Sequence, residues 1–339
     1  MRKTIVYALV FALVAIMALP LVADDGSVLP ADVFRLRLIP AYEWIPGSYD
    51  NSGSYTGYST TTTPDGTISV PNMGFALEYG INDWITAGLQ WAPGITFDSN
   101  FPMVAGPKAN VDGLSALFAG LMVQIVGPKA PVVSNVIRFA VAPGVKIPFG
   151  GADFATQYAN SLSNSAYTVE NPDLQTLGIG GRAWLDYVVN SNFFLDLYTQ
   201  FIDYPGTVGL KDSSYLGYAW YGGLGGFNPQ VNYGYTLRFE LDPHYNVDIA
   251  NGINLAINCA FRYDGTPAQT WSQSSPAPSV ASPSPSSAFY SANPSVDFFF
   301  YKAVVPFELD LDYGQPLAGT NTTQAYSLDV QIKAYLKFW

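Results

Sequence analysis

Apolar and polar residues alternate with period two along much of this chain, the signature of strands whose successive side chains point to opposite faces. The alternation is clear near 33–44, 72–81, 84–97, 113–126, 135–148, 175–189, 193–202, 231–243, 252–264, 298–313 and 325–338. Each stretch is long enough to cross a membrane as a tilted strand, which takes about 9–11 residues. Asn82-Asp83, Gly127 to Ser134, Asn190 to Asn192 and His244 to Asn251 are short connections, whereas 45–71, 98–112, 149–174, 203–230 and the stretch from 265 are long. Short turns at one end and long loops at the other predict an all-β, antiparallel up-and-down barrel.

Charge placement shows which face meets lipid. A lipid-facing Arg or Lys near mid-bilayer costs about 2–4 kcal/mol, whereas a lumen-facing one does not, so charges should share one parity within each strand. Arg35, Arg37 and Glu43 lie opposite Leu36, Leu38, Tyr42 and Trp44; Arg238, Glu240 and Asp242 lie opposite Leu237, Phe239 and Leu241. The rule also groups Arg138 with Lys146, Arg182 with Asp186, Arg262 with Asp264, and Asp329 with Lys333 and Lys337. In 298–313 it groups Lys302 with Glu308, Asp310 and Asp312. Asp32, Asp203 and Asp297 have the other parity and are expected at the watery rim.

A soluble sandwich would alternate in the same way with its apolar faces inward. Composition decides between the two. Only 12 % of residues are charged and 15 % are aromatic, against roughly 25 % charged in ordinary soluble domains. Trp44, Tyr79, Trp84, Trp91, Tyr187, Tyr233, Tyr313 and Phe338 fall near strand ends, as interfacial girdles require.

Bacterial single-chain barrels have an even number of strands. The missing strand is expected between Ser286 and Ser295, followed by a periplasmic Asn293-Pro294 turn, which gives about twelve strands with ten or fourteen as alternatives. Residues 1–23 read as a signal peptide: Arg2 and Lys3, an apolar stretch, then Pro20 to Ala23 before Asp24 and Asp25. Residues 24–339 are then one barrel domain in the bacterial outer membrane.

Two segments carry a resemblance. The last strand, alternating through Tyr326, Leu328, Val330, Ile332 and Leu336 to Phe338-Trp339, is similar to the C-terminal signal of outer-membrane barrels, which implies outer-membrane lipid and the assembly machinery as partners. The hairpin Met73–Trp91 resembles hairpins of FadL-like and treponemal-type outer-membrane transporters. That family carries an N-terminal hatch with an Asn-Pro-Ala motif, and only Asp24 to Ala31 precede the first strand here, so a hatch of that sort is not expected.

The chemistry of the sequence is sparse. One cysteine, Cys259, and one histidine, His244, exclude a disulfide framework and His-cluster metal sites, and no cofactor, metal or catalytic residue is expected. His244 is expected as a solvated residue of a short periplasmic turn, far from the outer rim where a lipid-directed enzyme would need its base. The net charge of −11 disfavours nucleic acid.

What remains is a lumen lined by Arg35, Arg37, Glu43, Arg138, Arg182, Asp186, Arg238, Glu240, Asp242, Arg262, Asp264, Lys302, Glu308 and Asp310, the candidate selectivity residues. Bases are expected on one arc and acids on another, either as ion pairs filling a narrow bore or as the wall of a wet channel. Tyr215, Tyr218, Trp220 and Tyr221 make loop 204–230 a candidate constriction, and Ser/Pro-rich 266–287 reads as a surface loop. The expected role is a channel for small solutes; FadL-like transport of hydrophobic ligands and a closed adhesive barrel are the alternatives.

Overall fold

The computed structural model describes residues 26–58, 66–101, 109–149, 168–170, 176–209, 229–273 and 285–337. The 1–23 leader, the aromatics Tyr215, Tyr218, Trp220 and Tyr221 and the terminal Phe338-Trp339 lie outside the described residues.

Twelve long strands form one antiparallel sheet: β1 (Val33–Ile45), β2 (Ile68–Asn82), β3 (Ile85–Phe101), β4 (Leu117–Gly127), β5 (Ile137–Ile147), β6 (Gly178–Val188), β7 (Phe193–Tyr204), β8 (Gly234–Ala250), β9 (Ile253–Thr266), β10 (Ser287–Phe300), β11 (Phe307–Thr320) and β12 (Tyr326–Lys337). Each pairs with its chain neighbours, and β1 pairs with β12 from Val33↔Lys337 to Trp44↔Tyr326, closing the sheet so that no edge is left unpaired. The short connections all lie at one end, which is the periplasmic end, and the long ones at the other. There Val208–Gly209, Pro229–Asn232 and Thr270–Gln273 pair as a small separate sheet, so the start of the Ser/Pro-rich loop is ordered.

The exterior is apolar around the whole barrel. Leu36, Leu77, Leu89, Leu121, Leu185, Leu197, Leu241, Phe261, Tyr290, Leu311 and Ile332 are all exposed, a continuous belt far beyond the apolar patches of soluble proteins. Aromatic rings mark its borders. Trp44 stacks on Tyr326 at 5.4 Å near the loops, and Phe34 meets Tyr79 at 4.5 Å near the turns. This is a transmembrane barrel of the bacterial outer-membrane kind, solvated by hydrocarbon at its waist.

Three local assignments are corrected. First, the periplasmic turn falls at 301–306, and Asn293-Pro294 lies inside β10. Tyr301 donates its N–H to the Gly252 carbonyl at 3.1 Å, which joins this turn to its neighbour. Because Lys302 between Tyr301 and Val305 happens to continue the alternation, the pattern conceals the turn. Second, parity reverses across that turn, so Lys302 is an exposed turn residue bonded to Asn251 instead of a lumen residue. Asp297, in turn, points inward to accept a bond from Asn258 at 2.6 Å instead of sitting at the rim. Third, β8 runs through Pro243 to Ala250, and the turn is Asn251-Gly252 with Gly252 at φ +102°. Pro243 offers no N–H, and the facing Cys259 N–H is taken by the Asp242 carboxylate at 3.1 Å.

His244 therefore lies within a strand. It is buried at 5 % exposure and stacked on Phe194 at 4.4 Å, and it is not a solvated turn residue.

Candidate functional site

Strand pleating sends one side chain in two into the lumen, and the charges of the inward set meet one another across neighbouring strands. Arg35 on β1 faces Glu78 on β2 in register, with Nε 2.5 Å from the carboxylate, and Arg37 lies 3.7 Å from the same group. Between β8 and β9, Arg238 meets Asp264 at 2.6 Å and Arg262 meets Glu240 at 2.7 Å. Arg238 is also 3.7 Å from Glu240, so the four groups form one network. Nearer the turns, the His244 ring lies 3.0 Å from Asp242.

A third group is buried. The Lys333 ammonium, 1 % exposed, donates to Glu308 at 3.0 Å and lies 2.7 Å from Asp310. The Tyr335 hydroxyl donates to the other Glu308 oxygen at 2.8 Å. Buried charges persist where they are paired and hydrogen-bonded in this way.

Bases and acids interleave here instead of occupying separate arcs. β8 and β9 each carry both signs, and the arc β10–β12 is mainly acidic, with Asp297, Glu308, Asp310, Asp312 and Asp329 against Lys333 and Lys337.

The segment before β1 enters the lumen at the periplasmic end. The Gly26 N–H donates to both oxygens of Asp186, each at 3.1 Å, and its carbonyl accepts from Gln124 Nε2 at 2.7 Å. Ser27 Oγ accepts from Arg138 at 3.0 Å, and the Leu29 N–H donates to Thr86 Oγ1 at 2.9 Å. Arg138 and Asp186 are themselves paired at 2.5 Å. Leu29 completes the crossing by packing with Val33, Phe299 and Tyr335, so Gly26, Ser27 and Leu29 together are fastened to β3, β4, β5, β6, β10 and β12. The chain can pass this close to β2 because Gly80 has no side chain: a Cβ there would overlap the Pro30 carbonyl.

Above this segment lies a cavity of about 350 Å³. Its wall includes Ser27 and Leu29 below and Arg35, Arg37, Arg182, Arg238, Glu240, Asp242, Arg262 and Asp310 around the sides. Of the residues anticipated from sequence, these share one chamber. Arg138 and Asp186 hold the N-terminal segment, Glu308 is sealed with Lys333, and Lys302 is outside. Gln90, Gln200, Gln331, Gln124 and Thr86 hydrogen-bond in the lumen but were not among the sequence candidates, because a search by charge passes over amides and hydroxyls. Inner parity alone would have found them.

No known protein family matches the sequence, and no curated protein is similar to it. Among solved structures, the COG4313 outer membrane channel from Pseudomonas putida F1 aligns with a TM-score of 0.62 at 13 % identity, covering 93 % of this chain and 100 % of that one. This likeness is one of fold. The toluene transporter TodX of P. putida aligns over 94 % of this chain and 93 % of its own at TM-score 0.42 and 10 % identity. A FadL homologue of Pseudomonas aeruginosa aligns over 91 % and 90 % at 0.37 and 10 %. Both are too remote to carry an argument.

Proposed function

We propose that this protein is an outer-membrane channel for passive or facilitated diffusion of small polar solutes. The supporting observation is the chamber of about 350 Å³ at the axis of a closed barrel, walled by charged and amide side chains. A purely structural barrel would fill that space with packed side chains, as small barrels do. The charged lining favours polar or ionic cargo over the hydrophobic compounds that the Met73–Trp91 hairpin resemblance would imply. Paired charges give such a wall fixed polarity without a net field that would trap one ion.

The N-terminal segment acts as the periplasmic closure of this chamber, with Asp186 and Arg138 as its anchor. The alternation of β12 supports recognition of the last strand by the assembly machinery. Liposome swelling in isotonic sugars of graded size tests the channel reading. Swelling with the smallest sugars and none with larger ones is expected; no swelling with any sugar, from correctly folded protein, would refute it.

A further inference from the structure

The lumen arginines are not equivalent. Arg35, Arg138, Arg238 and Arg262 each lie within 2.7 Å of a carboxylate oxygen. Arg182 on β6 has no carboxylate partner among the described residues. Its Nε donates to Gln200 Oε1 at 3.0 Å and its Nη1 to Gln90 Oε1 at 2.5 Å, both neutral amides. One guanidinium face lies on the Phe118 ring at 4.1 Å. Guanidinium carries five N–H donors, and the two amide oxygens leave Nη2 without a hydrogen bond among the described residues, on a side chain that lines the chamber.

The surroundings sharpen what this arrangement would take. Arg182 lies within electrostatic reach of Arg37, Arg238 and Glu78, but Arg37 and Arg238 are themselves paired with acids, whereas Arg182 is bonded only to amides. A half-buried cation whose hydrogen-bond partners among the described residues are all neutral is unusual, because buried charge is normally paired. Trp184 and Tyr198, with ring centroids 5.3 Å apart, line the same chamber and offer it an aromatic wall. The volume lies within the about 300–1,000 Å³ typical of small-molecule sites.

We propose that Arg182 is the binding subsite for a small aromatic carboxylate. The carboxylate would meet the free guanidinium edge, and the ring would lie against Trp184 and Tyr198. Planar carboxylate matches the guanidinium fork. This inference rests on the channel reading and names a solute class for it. The amides of Gln90 and Gln200 hold the side chain in place without neutralising it, which keeps the site ready for an anion.

Calorimetric titration of the detergent-solubilised protein with benzoate tests this without any flux. Saturable binding is expected in the wild type, weakened about tenfold or more in Arg182→Gln, as loss of a charge-assisted contact implies. Gln200→Glu keeps size and shape but places a carboxylate beside Arg182 Nε, and should abolish binding in a barrel that still folds. Benzamide, which lacks the charge, should not bind, and acetate, which lacks the ring, should bind more weakly than benzoate. Absence of benzoate binding in the wild type, or equal binding in Gln200→Glu, would overturn the subsite. Acetate binding equal to benzoate would overturn its aromatic half. Binding without swelling would instead retain the subsite and reject the channel.

Discussion

The carboxylate of Asp186 pairs with Arg138 Nε at 2.5 Å and accepts the Gly26 N–H on both oxygens at 3.1 Å. One side chain with no solvent exposure therefore joins the barrel wall to the segment that crosses it. Removing one member of such a buried pair strands the other charge, which costs about 3–5 kcal/mol. Asp186→Ala is accordingly expected to lower thermal stability and to raise single-channel conductance as the segment loses its anchor. Wild-type values of both would show that Asp186 does not hold it.

Lys333 offers a second, separable test. Lys333→Met would leave Glu308 and Asp310 facing each other without the ammonium now 3.0 and 2.7 Å away. Destabilisation of about 3–5 kcal/mol is expected, read by urea unfolding in detergent. Glu308→Gln and Asp310→Asn added to Lys333→Met should recover most of it, since the two carboxylates that the ammonium paired are then neutral. A triple variant no more stable than Lys333→Met would contradict the pairing.

The exterior is tested by neighbours of opposite parity. Leu241 is 48 % exposed on the belt, whereas Glu240 faces the lumen. Leu241→Arg should impair membrane assembly, by about 2–4 kcal/mol near mid-bilayer, while Glu240→Gln should assemble normally. Folding yields into lipid vesicles measure both, and equal yields would mean that the belt is not in hydrocarbon.

In the outer loop after β1, Asp50 accepts bonds from the Ser52 hydroxyl and from the Ser52 and Ser54 N–H groups at 2.7 to 2.9 Å. The Ser52 hydroxyl chiefly, with these N–H groups, holds its carboxyl below the usual 3.8, because all three favour the charged form. A folded value below the unfolded one contributes loop order that is complete above the unfolded value and is lost as pH falls through the folded value. Carboxyl NMR titration should give a midpoint below 3.8; a midpoint at or above it would contradict the loop geometry.

Much of this architecture is written in the alternation itself. Strands β1, β2 and β12 are legible within a few residues because lipid on one side and water on the other impose opposite demands on neighbouring side chains. The alternation fails where a turn keeps the period, as at Tyr301 to Val305, and one concealed turn reverses the parity of everything across it, which is why parity alone puts Asp297 at the rim. The N-terminal segment left no periodic trace, since Gly26 to Ala31 is held by backbone bonds to distant side chains. Its one sequence clue is the small inward residue Gly80. The chamber's charged residues were visible from parity. The distinction of Arg182 was not, because it depends on having Gln90 and Gln200 for neighbours where the other arginines have acids.

Planar-bilayer recording of the wild type beside a variant lacking residues 26–31 tests the central claim most directly. A solute channel with a periplasmic closure should give steady ohmic currents, larger and less interrupted in the shortened variant. Silence from both, with folded protein inserted in the bilayer, would contradict it.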